Sequence, residues 1–139
     1  MVKPMKRLAI LTTTINPETI ADMETAAQVE IQQQGAQLTV TTKTLGCLDM
    51  PIVAKQLLLR NDVDGLVILG AVAKGETQHD ELVVNTMTQA IVQLSLQYNK
   101  PVGFGVIGPG ATKEQFKSRT QEYSQRAVQA VMQNLVLLG

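Results

Sequence analysis

One short polar segment, AKGETQHDEL at positions 73–82, holds residues that could bind an anion and move a proton. It contains His79, the only histidine of the chain, and histidine is the side chain whose charge changes nearest neutral pH. If a helix begins here, backbone N–H groups at Gly75, Glu76 and Thr77 and the positive end of the helix dipole favour an anion such as phosphate. The same dipole disfavours imidazolium, so a neutral His79 could accept a proton.

Each of these residues also has a simpler structural interpretation. Gly75 can serve only to make a turn, Thr77 only to cap a helix, and His79 only as a polar first-turn residue that faces water. A phosphate site also needs a basic partner, for which Arg119 on the last predicted helix is the candidate, through bidentate hydrogen bonds. A single helical arginine is more often a solvated surface residue, so both interpretations stay open.

Length and composition restrict the class of protein. We predict that residues 1–139 form one domain. Twelve Lys and Arg balance twelve Asp and Glu, so the charge gives no indication of nucleic-acid or membrane binding. The single cysteine, Cys47, excludes an intrachain disulfide, the first residues lack the apolar region of a signal peptide, and no apolar run approaches the roughly 20 residues that cross a bilayer. We therefore expect a soluble, cytoplasmic protein.

The apolar pattern predicts four strands that alternate with four helices. The strands are expected at 7–14, 36–43, 64–72 and 101–107. Aliphatic runs in a chain with only 3% aromatic residues favour a buried parallel sheet. The predicted fold class is α/β, a three-layer sandwich whose doubly wound four-stranded parallel sheet has flavodoxin-like order and helices on both faces.

Each helix is expected to begin at a polar cap. The predicted caps are Asn16, Asp49, Thr77 and Thr112. The last two fit capping boxes with Asp80 and Gln115. The apolar face of the second helix is predicted to comprise Ile52, Val53, Leu57 and Leu58.

Ligands of an open parallel sheet bind outside the carboxyl ends of its strands. The loops expected there, at 12–17, 44–49, 71–80 and 107–112, contain the only cysteine and the only histidine. In these loops Asp49 could cap a helix or direct its carboxylate at ligand hydroxyl groups, and Cys47 suits packing better than nucleophilic chemistry. The sequence has no Walker loop, no GxGxxG and no metal-ligand spacing, so neither metal nor cofactor is predicted.

Together these loops resemble the 6,7-dimethyl-8-ribityllumazine synthase family in its short archaeal form. The segments that carry the resemblance are GETQHDE at 75–81, GCLDMP at 46–51, QYNKPV at 97–102 and GPG at 108–110 followed by Thr112. The resemblance implies a transferase of riboflavin biosynthesis that acts without a cofactor. Such an enzyme condenses 5-amino-6-ribitylaminouracil with 3,4-dihydroxy-2-butanone 4-phosphate to 6,7-dimethyl-8-ribityllumazine, phosphate and water.

The resemblance also implies roles for single residues. Residues 75–77 would bind the substrate phosphate through backbone N–H groups together with Arg119, and His79 would transfer protons. The pocket for the uracil and ribityl groups would be lined by Asn16, Cys47 and Asp49, with backbone hydrogen bonds from Val72 and Ala73. Phe104 and Arg119 would reach this pocket from an adjacent subunit of a homopentamer, which can stay single or form larger assemblies.

Two positions in this pocket depart from the family pattern. Ile15 stands where the family usually has an aromatic residue that stacks on the pyrimidine, and Leu48 replaces the aromatic residue before the aspartate. Loss of one stacking contact weakens binding by on the order of 1 kcal/mol. Arg126 is the nearest candidate for a further cationic residue of the last helix. An alternative therefore stays open, a noncatalytic or altered-specificity lumazine- or flavin-binding paralogue, including one with riboflavin-synthase-like activity.

Overall fold

The computed structural model describes residues 4–75 and 77–139. Its elements in chain order are β1 (Arg7–Thr13), α1 (Pro17–Gln33), β2 (Gln37–Thr44), a 3₁₀ turn (Cys47–Asp49), α2 (Met50–Leu58), β3 (Gly65–Ala73), α3 (His79–Tyr98), β4 (Val102–Ala111) and α4 (Lys113–Leu137). The predicted alternation of strands and helices is confirmed. In the part of the chain that is described, no helix combines the length and the apolar character needed to cross a membrane.

The four strands form one parallel sheet in the order β2-β1-β3-β4. This order confirms the predicted doubly wound, flavodoxin-like α/β class. The two central strands, β1 and β3, are buried along almost their whole length, whereas the edge strand β2 is exposed or half-buried at every position except its last. The burial explains why the central strands read as continuous aliphatic runs.

Helices cover both faces of the sheet, so the core has two parts. Leu8 and Ile10 of β1 belong to the cluster beneath α1 and α4. Ala9 and Leu11, which alternate with them along the strand, belong to the cluster beneath α2 and α3. Successive side chains of a strand point to opposite faces, and this alternation builds the predicted three layers.

The buried face of α2 differs from the predicted one. Ile52 is 65% exposed, and the residues that pack inward are Met50, Ala54, Leu57 and Leu58. The helix begins at Met50 after the 3₁₀ turn, and helical spacing from Met50 reaches Ala54 and Leu57 rather than Ile52. The prediction for Ile52 was wrong because the sequence pattern did not fix where the helix starts.

One of the two predicted capping boxes is confirmed. At the start of α4 the Gln115 side-chain oxygen accepts a hydrogen bond from the Thr112 backbone N–H at 2.9 Å. The other box is wrong, because α3 begins only at His79 and neither Thr77 nor Asp80 caps it in the expected way.

Arg7 and Asp64 join the amino ends of β1 and β3, at the edge of the sheet opposite the loops predicted to bind ligand. The Asp64 carboxylate accepts hydrogen bonds from the Arg7 backbone N–H at 2.7 Å and from its Nε at 3.3 Å. Partial burial acts to raise the pKa of Asp64, but the hydrogen bonds and positive charge of Arg7 outweigh it, so this pKa lies below the ordinary value. The pair helps to fix the register of the two central strands.

Two glycines let α4 approach β4 closely. A Cβ atom on Gly103 would overlap the backbone carbonyl oxygen of Ala127 and lie 2.8 Å from its carbonyl carbon. A Cβ atom on Gly105 would lie 2.8 Å from the backbone oxygen of Tyr123. Because the obstructing atoms are helix backbone, α4 itself must move away to admit a side chain at either position.

We predict that Gly103→Ala destabilises the fold by about 2 to 3 kcal/mol, since α4 must shift to accept the methyl group. The matched control is Gly70→Ala in β3, whose Cβ would meet only Val106 side-chain atoms at 3.8 Å or more and should change stability by less than about 1 kcal/mol. Urea denaturation of both variants measures the difference. Equal losses at the two positions would contradict the close approach of α4.

Candidate functional site

The loops that follow the four strands meet at the carboxyl edge of the sheet, where backbone hydrogen bonds connect them. The Thr14 N–H donates to the Thr44 carbonyl at 2.9 Å and joins the ends of β1 and β2. The Lys74 N–H donates to the Ala111 carbonyl at 2.7 Å and joins the ends of β3 and β4. At the edge that the sequence indicated as the binding edge, backbone hydrogen bonds therefore join the loops in two pairs.

Asn16 links the two central strands at this edge. Its Nδ2 donates to the Ala71 carbonyl at 2.8 Å, and its backbone adopts the left-handed conformation with φ 56°, which asparagine tolerates better than most residues. Asn16 occupies the predicted N-cap position, with Pro17 as the first helical residue, but its side chain makes no cap hydrogen bond to α1. The bond to Ala71 uses one of two amide hydrogens and leaves Oδ1 as an acceptor that a ligand can use.

The segment after β2 presents some predicted site residues and buries another. Cys47 is 3% exposed and packs in the core beneath α2 and α3, and this burial raises the pKa of its thiol. A buried thiol with a raised pKa is a poor nucleophile, which agrees with a packing role for Cys47. Leu48 is 53% exposed and Asp49 is also exposed. Asp49 occupies the predicted N-cap position of α2, but its carboxylate makes no cap hydrogen bond to the helix.

The loop between β3 and α3 presents the histidine. Its exposed predicted site residues are Gly75, Thr77 and His79, while Glu76 lies outside the described residues. His79 is the first residue of α3, and its backbone N–H donates to the Thr77 Oγ1 at 3.3 Å. The structure thus places an exposed imidazole at a helix start, directly after the carboxyl end of a central strand.

The end of β4 contains a three-residue bulge rather than the predicted turn. Ala71 pairs with Ile107 and Ala73 pairs with Ala111, so residues 108–110 form an insertion opposite Val72. The strand continues through this segment to Ala111. Val72 and Ala73, the predicted backbone partners of a ligand, are half-buried beside the bulge.

Asp80 is a buried acidic residue at this edge whose role the sequence analysis missed. It is 7% exposed, and its Oδ2 accepts a hydrogen bond from the Gly110 N–H at 2.9 Å. The sequence signal was an acidic residue in a helical first turn, which predicted a local cap. The partner is instead in the bulge of β4, thirty residues further along the chain, and spacing alone could not identify it.

Phe104 is not brought to the loops of its own chain. It pairs with Ile68, five residues before β3 ends at Ala73, which is about 16 Å along the strand. Arg119 is half-exposed on α4. A cavity of about 370 Å³ opens beside Phe104 and is lined by Phe104, Glu122, Tyr123 and Arg126.

Apolar side chains are exposed among the polar groups of this edge. Ile15 is 43% exposed, and the neighbouring loop exposes Leu45 and Leu48. Exposed apolar groups beside hydrogen-bonding groups are typical of surfaces that bind a ligand or another subunit. The described residues contain no group of three or more His, Cys, Asp or Glu side chains that could hold a metal ion. The chemistry available from the described side chains is hydrogen bonding, anion binding at a helix start and proton transfer.

Comparisons with known proteins identify a family. The family model for 6,7-dimethyl-8-ribityllumazine synthase matches residues 5–138. A protein of that name from Staphylothermus marinus is 42% identical over 127 residues, which cover 91% of this chain and 85% of its own. One from Metallosphaera sedula is 48% identical over 97 residues, 70% of this chain and 64% of its own. One from Saccharolobus islandicus is 42% identical over 126 residues, 91% of this chain and 82% of its own.

Proposed function

Because the chain belongs to the 6,7-dimethyl-8-ribityllumazine synthase family, we propose that it condenses 5-amino-6-ribitylaminouracil with 3,4-dihydroxy-2-butanone 4-phosphate. The products are 6,7-dimethyl-8-ribityllumazine, phosphate and water, and the chain is a transferase of riboflavin biosynthesis. Ile15 and Leu48 were the features that favoured a noncatalytic or altered-specificity paralogue. The relatives described above carry the synthase name, and nothing in them favours that alternative.

The observation that carries the residue assignments is the exposed His79 at the start of α3. Backbone N–H groups at residues 75–77 and the dipole of α3 attract the phosphate of the butanone substrate, and Arg119 adds charge-assisted hydrogen bonds. The amine of the uracil substrate attacks the ketone, a Schiff base forms with loss of water, phosphate leaves, and the ring closes with loss of a second water. His79 transfers protons during these steps.

The second substrate binds between the ends of β1, β2 and β3. Asn16 offers its Oδ1 and its remaining amide hydrogen to the uracil or ribityl groups, and the exposed Asp49 accepts hydrogen bonds from ribityl hydroxyls. Backbone groups of Val72, Ala73 and Cys47 complete the polar contacts. Ile15 and Leu48 supply apolar contact in place of stacked rings.

We further propose that the enzyme is a cytoplasmic, single-domain homo-oligomer, a pentamer or a multiple of pentamers, whose sites span two subunits. Phe104 lies about 16 Å along the sheet from the loops of its own chain, yet it stands on the edge strand β4, where a neighbouring subunit can approach. Arg119 is half-exposed on the helix that follows β4. Supplying both residues to the loops of an adjacent copy completes the phosphate and uracil subsites.

The direct test of the reaction is incubation of the purified protein with both substrates. We expect the lumazine absorbance and released phosphate to rise together, and His79→Gln to lower kcat about 100-fold, near the lower end of general acid–base effects, because positioning remains intact. Absence of turnover at saturating substrates would refute the synthase activity. If His79→Gln keeps the kcat of the parent protein, the proposed role of His79 is refuted and the synthase activity still stands.

Replacing Arg119, which is proposed to bind the substrate phosphate, should change the KM of mainly one substrate. Loss of charge-assisted hydrogen bonds in Arg119→Ala should raise the KM for the butanone phosphate about 10- to 100-fold and the KM for the uracil substrate far less. Lys117→Ala is the matched control, since Lys117 is an exposed cation on the same helix that lines a groove between α1 and α4. Steady-state kinetics with each substrate varied measure the effect, and equal KM changes in the two variants would overturn the assignment.

Shared sites can be detected by complementation. His79→Gln and Arg119→Ala chains carrying different tags are co-expressed, and mixed oligomers are purified and assayed well below the KM for the butanone phosphate. If His79 and Arg119 of one site come from different subunits, about one quarter of the sites in random oligomers regain both residues. Activity should then clearly exceed the mean of the two separate variants. Activity equal to that mean would show that each site lies within one chain.

A further inference from the structure

We infer that Asp80 is a positioning residue of the reaction, whose buried carboxylate holds the 108–110 bulge of β4 against the first turn of α3. The inference rests on the proposed function for its kinetic consequences, because it concerns how the phosphate-binding loop and His79 are kept in place. The contact between Asp80 and Gly110 itself can be tested independently of activity.

The burial of Asp80 is unusual for its position. Gln78, His79 and Glu81 around it are exposed, whereas Asp80 is 7% exposed. Carboxylates are rarely so buried unless they are paired, and none of the ion pairs between described residues includes Asp80. The cost of burying the Asp80 carboxylate is offset by the hydrogen bond from the Gly110 N–H at 2.9 Å and by the positive end of the α3 dipole.

The 108–110 bulge is packed at its start, where a Cβ atom on Gly108 would overlap the backbone oxygen of Val72, but it is open at its tip. Gly108 and Gly110 have φ values of +107° and +86°, a region that glycine adopts without steric cost. A Cβ atom on Gly110 would meet no atom within 4 Å, so the tip is not packed. The hydrogen bond from the Lys74 N–H to the Ala111 carbonyl holds the end of the bulge, and the Asp80 carboxylate holds its tip.

Both groups that the bulge adjoins belong to the proposed phosphate subsite. Lys74, which donates to Ala111, directly precedes Gly75, and Asp80 directly follows His79. A bulge that moves therefore displaces the backbone N–H groups of the phosphate loop and the helix start that carries His79. Among the described residues, no hydrogen bond joins Asp80 to the ends of β1 and β2, where the uracil substrate is proposed to bind.

The kinetic test compares three replacements of Asp80. Asp80→Ala should lower kcat/KM for the butanone phosphate about 10- to 100-fold, as expected for misplacement near 1 Å, while the KM for the uracil substrate changes less than about 2-fold. Asp80→Asn keeps an oxygen acceptor for Gly110 and should restore activity to within about 3-fold of the parent. Glu81→Ala, which removes an exposed carboxylate from the same helical turn, should have little effect.

Two kinetic outcomes would overturn the inference. If Asp80→Asn is as impaired as Asp80→Ala, the negative charge and not the hydrogen bond to Gly110 is what matters. If the KM values of both substrates change equally, Asp80 supports the fold in general and does not position the phosphate loop. Should Asp80→Ala fail to fold, Asp80→Ser replaces it, because its shorter polar side chain does not extend to Gly110.

Hydrogen exchange supplies the readout that does not depend on activity. In Asp80→Ala, backbone amides of residues 108–112 should exchange faster while those of β1 and β3 remain protected. Unchanged exchange of 108–112 would refute the contact even if the enzyme is impaired. Faster exchange in a protein without synthase activity would leave the contact standing and refute the proposed function instead.

Discussion

The parallel pairing of β1 with β3 is the constraint on which the rest of the structure depends. Both strands are buried on both faces, so their backbone groups must find partners within the sheet. Because the pairing is parallel, the carboxyl ends of both strands lie at one edge, and the loops that follow them become neighbours. The hydrogen bond from Asn16 to Ala71 continues this pairing beyond the ladder and fixes the entry of α1 beside the loop that leads to His79.

The edge strands add the remaining parts of the site in different ways. β2 contributes the loop that buries Cys47 and exposes Leu48 and Asp49. β4 contributes a glycine-containing bulge, held by Lys74 at its end and by Asp80 at its tip. A buried central ladder thus supports loops whose exposed residues are free to meet a ligand. The exposed apolar residues at this edge also suit contact with a neighbouring subunit.

Features that depend on local sequence pattern were predicted correctly. Features that depend on contacts between residues far apart in the chain were not. The strands and their order followed from aliphatic runs and from the rules of parallel sheets. Asp80 was assigned to a local cap because its partner Gly110 lies in another strand. Asn16 takes the N-cap position that was predicted, but local pattern could not show that its amide donates to Ala71 in another strand. In α2, Ile52 was placed inside because the 3₁₀ turn that sets the helical phase has no clear sequence signal.

The two missing aromatic residues matter less for this reaction than the backbone around them. Condensation of an amine with a ketone, followed by loss of phosphate, is accelerated mainly by holding two substrates in place and by modest proton transfer. Ile15 and Leu48 keep apolar surface at the edge of the sheet, so the cost of losing a ring is on the order of 1 kcal/mol of affinity. The left-handed backbone of Asn16 and the Asp80–Gly110 hydrogen bond set where the loops stand. Under the proposed assignment of the site, changes at those two positions would therefore alter the geometry of the reaction, whereas changes at Ile15 and Leu48 would alter how tightly a substrate is held.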